Sequence, residues 1–386
     1  MVGRNALLIL WPLAVFVSRA AEVKGLERRV TVQITSQMAG SPFAGDLPAS
    51  VWALGFAPDQ RYLAVGVEFI KKKVLPPLED DKSYLLILAT DHPETVIKSF
   101  EIPRHPAMRV YTEVYWSPGG KYIATPFYRD WDQAAIIDLS TNELHVITTR
   151  RCQVKGLLDG PQLVQVCSAS GRGTRIRFIG IDGTVSREWS YSDVMTVLHV
   201  ESVVGELALT RVTPGANTGP REITIADAKD RREIQRWMMT GAEPYFGTFA
   251  KSGKVFCLLQ NPMITLDRDF ICRDTSSGSE VIHQTLPKGF SGPIIGAGNY
   301  LAMNHDEIKF VPKPLQRLAG TSVVFGKRAH CLWDLRTGTQ IAQWSTKMQF
   351  VLPGVDDDWA YTISPDGHTI AEGGTGIVTL YLLTQR

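Results

Sequence analysis

The sequence predicts an all-β chain built from about seven copies of one four-stranded unit, and three observations carry that prediction. A hairpin motif recurs along the chain, a second turn motif follows it at a displaced position, and the spacing of the second is nearly constant. The 386-residue length suits one large repetitive domain as well as two or three ordinary ones. Apolar residues make up 44% of the chain, enough for a substantial core. Charged residues make up 21%, with Lys+Arg 41 against Asp+Glu 39, which argues against disorder or a strongly basic nucleic-acid binder.

The hairpin motif reads FAPDQRYLA from Phe56, WSPGGKYIA from Trp116 and ISPDGHTIA from Ile363, with a weaker copy, FAKSGKVFC, from Phe249. An apolar residue closes one strand, Pro presets the first turn dihedral, Asp or Gly follows, and an apolar return strand begins after a polar residue. The second motif is a β-rich run ending in an acidic residue and a polar turn. It places Asp138, Asp182, Asp227, Asp274 and Asp334 at successive spacings of 44, 45, 47 and 60 residues. Extending the series to Thr90 in one direction and Leu383 in the other gives seven copies, with six or eight as alternatives.

The pairing of an F/W-S/A-P-D/G-G hairpin with a turn such as LWDLRTG, Leu332 to Gly338, resembles a bacterial WD-repeat or similar degenerate β-propeller. The resemblance covers nearly the whole chain after the first twenty-odd residues and implies four-stranded blades arranged in a ring. The ends support closure. The last copy supplies WAYTIS, HTIAEG and GIVTLYLL, only three strands, while RRVTVQITS from Arg28 to Ser36 is a strand segment without a neighbour in sequence. Joining the two completes the seventh blade and covers a bare edge. The expected blades are 50–103, 108–149, 153–190, 194–239, 244–286, 291–349, and 356–386 with the N-terminal strand.

Residues 1–20 read as a secretory signal peptide. Arg4 is the positive n-region, Ala6 to Val17 is apolar, and Ser18-Arg19-Ala20 offers small residues for cleavage near Ala20. Twelve helical residues reach roughly 18 Å, short of a roughly 30 Å hydrocarbon layer, so no stable transmembrane anchor is expected. Removing the segment leaves 39 basic and 39 acidic side chains. A neutral chain of 27–386, one domain, has no general attraction to polyanions, and no nucleic-acid partner is expected. Export to the periplasm, the medium or the cell surface follows from the same reading.

Cys152, Cys167, Cys257, Cys272 and Cys331 form no CxxC pair. Cys257, Cys272 and Cys331 sit in strand-like runs, where a buried free thiol acts as a small hydrophobe, and that is the expectation. The alternative pairs Cys152 with Cys167 and Cys257 with Cys272 across neighbouring strands, leaving an odd thiol.

No GxSxG elbow, phosphate-binding Gly-rich loop, HExxH helix or calcium loop is present, and no cofactor is implied. His305-Asp306-Glu307 reads as a solvated turn. Asp356-Asp357-Asp358 reads as a hydrated loop, a cation site being the alternative. Two insertions, Lys71 to Asp81 and about His305 to Gly320, follow the second strand of their blades and so share the face of the blade-to-blade connections. Lys71, Lys72 and Lys73, Lys309 and Lys313, and the aromatic connection holding Tyr128, Arg129 and Trp131 are therefore the candidate binding residues, facing a protein or peptide partner through loops on one face. Trp52, Trp116, Trp333 and Trp359 are expected to pack between blades. The expected function is an exported platform for binding or assembly. The alternative is a propeller enzyme, such as a hydrolase, lyase or quinone-dependent dehydrogenase, with its site at one end of the channel.

Overall fold

The computed structural model describes residues 25–41, 50–69, 82–103, 113–127, 133–149, 152–168, 173–212, 221–239, 244–260, 266–310, 323–345 and 360–384. β1 (Leu26–Gln33) stands apart from the first blade, which is β2 (Ser50–Phe56), β3 (Tyr62–Phe69), β4 (Lys82–Ala89) and β5 (Val96–Ile102). The second blade is β6 (Tyr115–Trp116), β7 (Tyr122–Phe127), β8 (Gln133–Asp138) and β9 (Glu143–Thr148). The third is β10 (Gln153–Leu158), β11 (Gln162–Ser168), β12 (Thr174–Ile179) and β13 (Val185–Tyr191). The fourth is β14 (Val194–Glu201), β15 (Glu206–Val212), β16 (Arg221–Asp227) and β17 (Glu233–Met239). The fifth is β18 (Pro244–Ala250), β19 (Val255–Gln260), β20 (Arg268–Asp274) and β21 (Glu280–Leu286). The sixth is β22 (Phe290–Ala297), β23 (Tyr300–Phe310), β24 (Val323–Asp334) and β25 (Thr339–Ser345). β26 (Tyr361–Ile363), β27 (Thr369–Gly374) and β28 (Ile377–Leu383) complete the count.

Seven four-stranded antiparallel sheets result, six in simple chain order and one in the order β1-β28-β27-β26. The seventh blade is thus closed by the N-terminal strand, as the three-strand C-terminal copy requires. The first strands of all neighbouring blades touch, including β2 with β26, so they form an unbroken inner ring. The protein is a seven-bladed β-propeller.

Local chemistry explains the blade. Middle strands are buried on both faces, which is why β8 (QAAIID) and β19 (VFCLLQ) read as continuous apolar runs, whereas the outer strand β21 (EVIHQTL) buries only a few positions. The first hairpin turn is closed by one repeated backbone bond: Ala57 N to Tyr62 O, Ser117 N to Tyr122 O and Ser364 N to Thr369 O, at 2.8, 2.9 and 2.8 Å. Its tight residue takes a positive φ, 67° at Gly120 and 80° at Gly367, a region glycine enters without a Cβ penalty. Gln60 adopts the same conformation at 64°.

The displaced turn is equally regular. Asp138, Asp182, Asp227, Asp274 and Asp334 each accept the backbone N–H two residues on, from Ser140, Thr184, Lys229, Ser276 and Arg336, at 2.7 to 3.0 Å. Each carboxylate caps its own turn in place of a backbone carbonyl. At Asp274, hydrogen bonds from the hydroxyls and backbone N–H groups of Ser276 and Ser277 push the carboxyl down to about 2.

Three expectations are corrected. Cys152 is bonded to Cys167 and Cys257 to Cys272, so the free-thiol reading holds only for Cys331, which is buried. Cys257 and Cys272 are register partners on β19 and β20, with Cα atoms 4.0 Å apart, within reach of a disulfide that periodicity alone does not reveal. His305-Asp306-Glu307 is not a turn. It lies within β23, where Asp306 is buried and accepts a hydrogen bond from Ser291 Oγ at 3.1 Å. Lys309 also belongs to β23, paired with Val324, because the β-branched and aromatic residues of IKF and VVF extend the ladder into what reads as an insertion.

The tryptophans divide as well. Trp116 Nε1 donates to Gly55 O of the first blade at 2.8 Å, and Trp333 packs on Phe270 of the fifth, both between blades. Trp52 instead covers Gly66 in its own blade, where an added Cβ would meet the indole at 2.6 Å. A register shift between Val51 and Ala53 accompanies that arrangement. Trp359 lies outside the described residues.

Candidate functional site

Strand direction alternates within a blade, so the first and third turns emerge on one end and the second turn, with the blade-to-blade connection, on the other. Lys71, Lys72 and Lys73, Tyr128, Arg129 and Trp131, Lys313, and Asp356 to Asp358 lie outside the described residues. The strand ends that bound their segments are described. Phe69 and Lys82, Phe127 and Gln133, and Phe310 and Val323 all end or begin strands on the connection-bearing side, in the first, second and sixth blades. The described strand ends on either side of these segments therefore share one end of the ring, and Lys309 is itself a strand residue.

Close to the axis, Lys155 is the bulged residue of β10, and His199 follows the bulge of β14. Burial lowers the Lys155 ammonium, and burial together with the Lys155 charge pushes His199 down to about 4, leaving a neutral imidazole at pH 7. The His199 ring stands 5.9 Å from the Phe249 ring in T-shaped contact.

A buried polar group joins the sixth and seventh blades. His330 Nδ1 donates to Asn304 Oδ1 at 2.7 Å, and His330 Nε2 stands 3.7 Å from Glu372 Oε1. Tyr381 OH donates to Glu372 Oε2 at 3.0 Å. The Tyr361 ring lies 4.5 Å from the imidazole, and Tyr361 OH donates to Pro293 O at 2.6 Å. Burial pushes the Glu372 carboxyl up to about 7. Every ring and carboxyl here is held by strands of two blades, so the group fastens the blade junction.

On the outer rim, a cleft of about 150 Å³ lies between the fourth and fifth blades, lined by Trp237, Met238, Met239, Leu258, Gln260 and Ile271 with Asp269, Arg273, Glu280 and His283. Its polar wall is organised. Arg273 Nη2 meets Glu280 Oε2 at 3.2 Å, His283 Nδ1 meets Glu280 Oε1 at 3.1 Å, and the Arg273 guanidinium stands 5.9 Å from the Trp237 ring centre. Trp237 occupies a place in β17 equivalent to Phe100 in β5, Trp189 in β13 and Trp344 in β25: each is a buried large ring on an outer strand. That recurrence is the one sequence signal that leads toward the cleft, and the hairpin and aspartate motifs do not register it.

Among the described residues no three His, Cys, Asp or Glu side chains converge in a way that could hold a metal ion. None of their helices is long and apolar enough to cross a membrane.

No protein-family model matches the chain. No curated protein matches it. Solved structures do, among them the β-propeller domain of Cps50 (Swd1) from Myceliophteria thermophila, with 13% sequence identity, a TM-score of 0.56, and coverage of 92% of this chain and 100% of that one. At that identity the likeness concerns architecture alone, and it agrees with the strand pairing: the chain has a WD-repeat-like β-propeller fold.

Proposed function

We propose that this chain is an exported β-propeller that serves as a platform for binding a protein partner. The observation that supports the reading is the closed inner ring, in which the strand ends flanking residues 70–81, 128–132 and 311–322 share one end. Rigid scaffolds that concentrate variable segments on one surface suit recognition. The two disulfides support export, because such bonds persist in oxidising compartments. Lys71, Lys72, Lys73 and Lys313, with the aromatic segment of Tyr128, Arg129 and Trp131, supply charge and ring surface for that contact. No observation favours the propeller-enzyme alternative.

Native mass spectrometry of the protein recovered from its source tests this. The expected result is a mature chain beginning near residue 21 that carries one protein partner at fixed stoichiometry. A chain that retains residues 1–20 contradicts export. A stoichiometric organic cofactor or metal without a protein partner contradicts the platform.

A further inference from the structure

Two buried titratable side chains face each other across the junction of the sixth and seventh blades. His330 on β24 is 0% exposed and Glu372 on β27 is 6% exposed, and His330 Nε2 stands 3.7 Å from Glu372 Oε1. The far side of each group is already committed. Asn304 Oδ1 is an acceptor, so the neutral imidazole holds its proton on Nδ1, 2.7 Å away, and turns the Nε2 lone pair toward Glu372. Tyr381 OH donates to Glu372 Oε2 at 3.0 Å, while Oε1 accepts no hydrogen bond.

The two atoms left facing one another decide how many protons the contact holds. With none, two lone pairs meet and a carboxylate charge is buried at the junction, which is costly on both counts. With one, a hydrogen bond forms between Oε1 and Nε2, and a small side-chain movement brings them to the ordinary separation of about 3 Å. With two, an O–H and an N–H point at each other and the carboxyl no longer balances the imidazolium.

The surrounding charged and titratable groups, among the described residues, come from both blades. Arg28 on β1 and its register partner Tyr381 on β28 lie on the Glu372 side. Tyr361 on β26 lays its ring 4.5 Å from the imidazole. From the sixth blade, Asp306 follows two residues after Asn304 on β23 and accepts from Ser291 Oγ of β22, while β25 brings only the Trp344 ring, 5.2 Å from His330. β2 meets the opposite face of β27, where Val51 covers Gly373. Burial pushes the Glu372 carboxyl up to about 7, in keeping with a proton held there near neutral pH.

We propose that His330 and Glu372 form a one-proton latch: the sixth and seventh blades adhere when a single proton lies between Nε2 and Oε1, and the junction loosens both when that proton is lost and when a second is gained. The latch stands whether or not a partner binds, and it adds an acid limb that burial of Glu372 alone does not produce.

The test uses the full chain. Hydrogen exchange of the β26 and β27 amides, corrected for the intrinsic pH dependence and read against β11 and β12 of the third blade, should show protection that falls by up to about tenfold per pH unit above 7 and falls again in acid as His330 takes up its proton. Glu372→Gln presents a permanent N–H to Nε2 and should abolish the alkaline fall. The imidazole ¹⁵N spectrum of the wild type, which does not depend on a variant folding, should show Nδ1 protonated and the Nε2 signal moving as Glu372 titrates. A stationary Nε2 signal, an alkaline fall that persists in Glu372→Gln, or protection of β26 and β27 that stays level with the third blade in acid overturns the latch.

Discussion

Thr31 and Thr379 stand opposite one another on β1 and β28 with hydroxyl oxygens 3.2 Å apart, although 348 positions separate them in the chain. The ring is closed by this strand pair, and Val32, opposite Val378, is buried within the core shared by the first and seventh blades. Val32→Asp should therefore lower stability by about 3 kcal/mol or more, since it buries an unpaired carboxylate. Arg29, exposed at the register shift of the same strand, serves as the control. Arg29→Ala should change stability by less than about 0.5 kcal/mol in the same urea titration.

The junction of the sixth and seventh blades should be pH-sensitive through Glu372. Burial raises its carboxyl from 4.5 to about 7, with Tyr381, His330 and Arg28 the titratable or charged groups around it. A folded value above the unfolded one means the folded state holds the proton more tightly. The contribution is fully present below pH 4.5 and is lost as pH rises through 7, amounting to about 3 kcal/mol at most. Glu372→Gln should abolish that loss, so the variant gains on the wild type between pH 5 and 8 in thermal melts. An unchanged pH dependence in the variant would contradict the assignment.

Trp116 anchors the second blade to the first through its Nε1 bond to Gly55 O. Trp116→Phe keeps a ring in the core but removes that bond, and should cost about 1–2 kcal/mol in chemical denaturation. Trp52→Phe, whose ring lies within one blade, serves to separate loss of aromatic volume from loss of the interblade bond.

Thiol counting checks the cysteines. Burial pushes the Cys331 thiol up to about 12, so iodoacetamide should label no residue in the folded protein, one after unfolding without reductant, and all five after reduction. Each disulfide closes a loop of fifteen residues in sequence separation, and reducing either should cost about 3 kcal/mol.

Much of the fold is legible because its turns are local. Asp274 accepts from Ser276 and Ser277, and Pro58, Gly120 and Asp366 mark hairpins whose partners are within a few residues. Seven copies of local chemistry locate blade boundaries without tertiary information. The disulfides are harder to read, since Cys257 faces Cys272 only in one register of β19 against β20. The rim cleft is harder still. Trp237, Gln260, Arg273 and His283 come from four strands of two blades, and no linear spacing brings them together. The extension of β23 through Lys309 was hidden because a charged His-Asp-Glu run suits a turn, yet Asp306 is buried with Ser291 as its donor.

Lysine cross-linking of the isolated complex, read by mass spectrometry, tests most directly whether the propeller is a platform that works from one end. The account predicts partner cross-links to Lys288, in the described connection between the fifth and sixth blades, and to Lys71, Lys72, Lys73 and Lys313, whose flanking described strand ends share that end of the ring. Cross-links concentrated instead on Lys121, Lys229, Lys251 and Lys254, in the first and third turns at the opposite end, would contradict it.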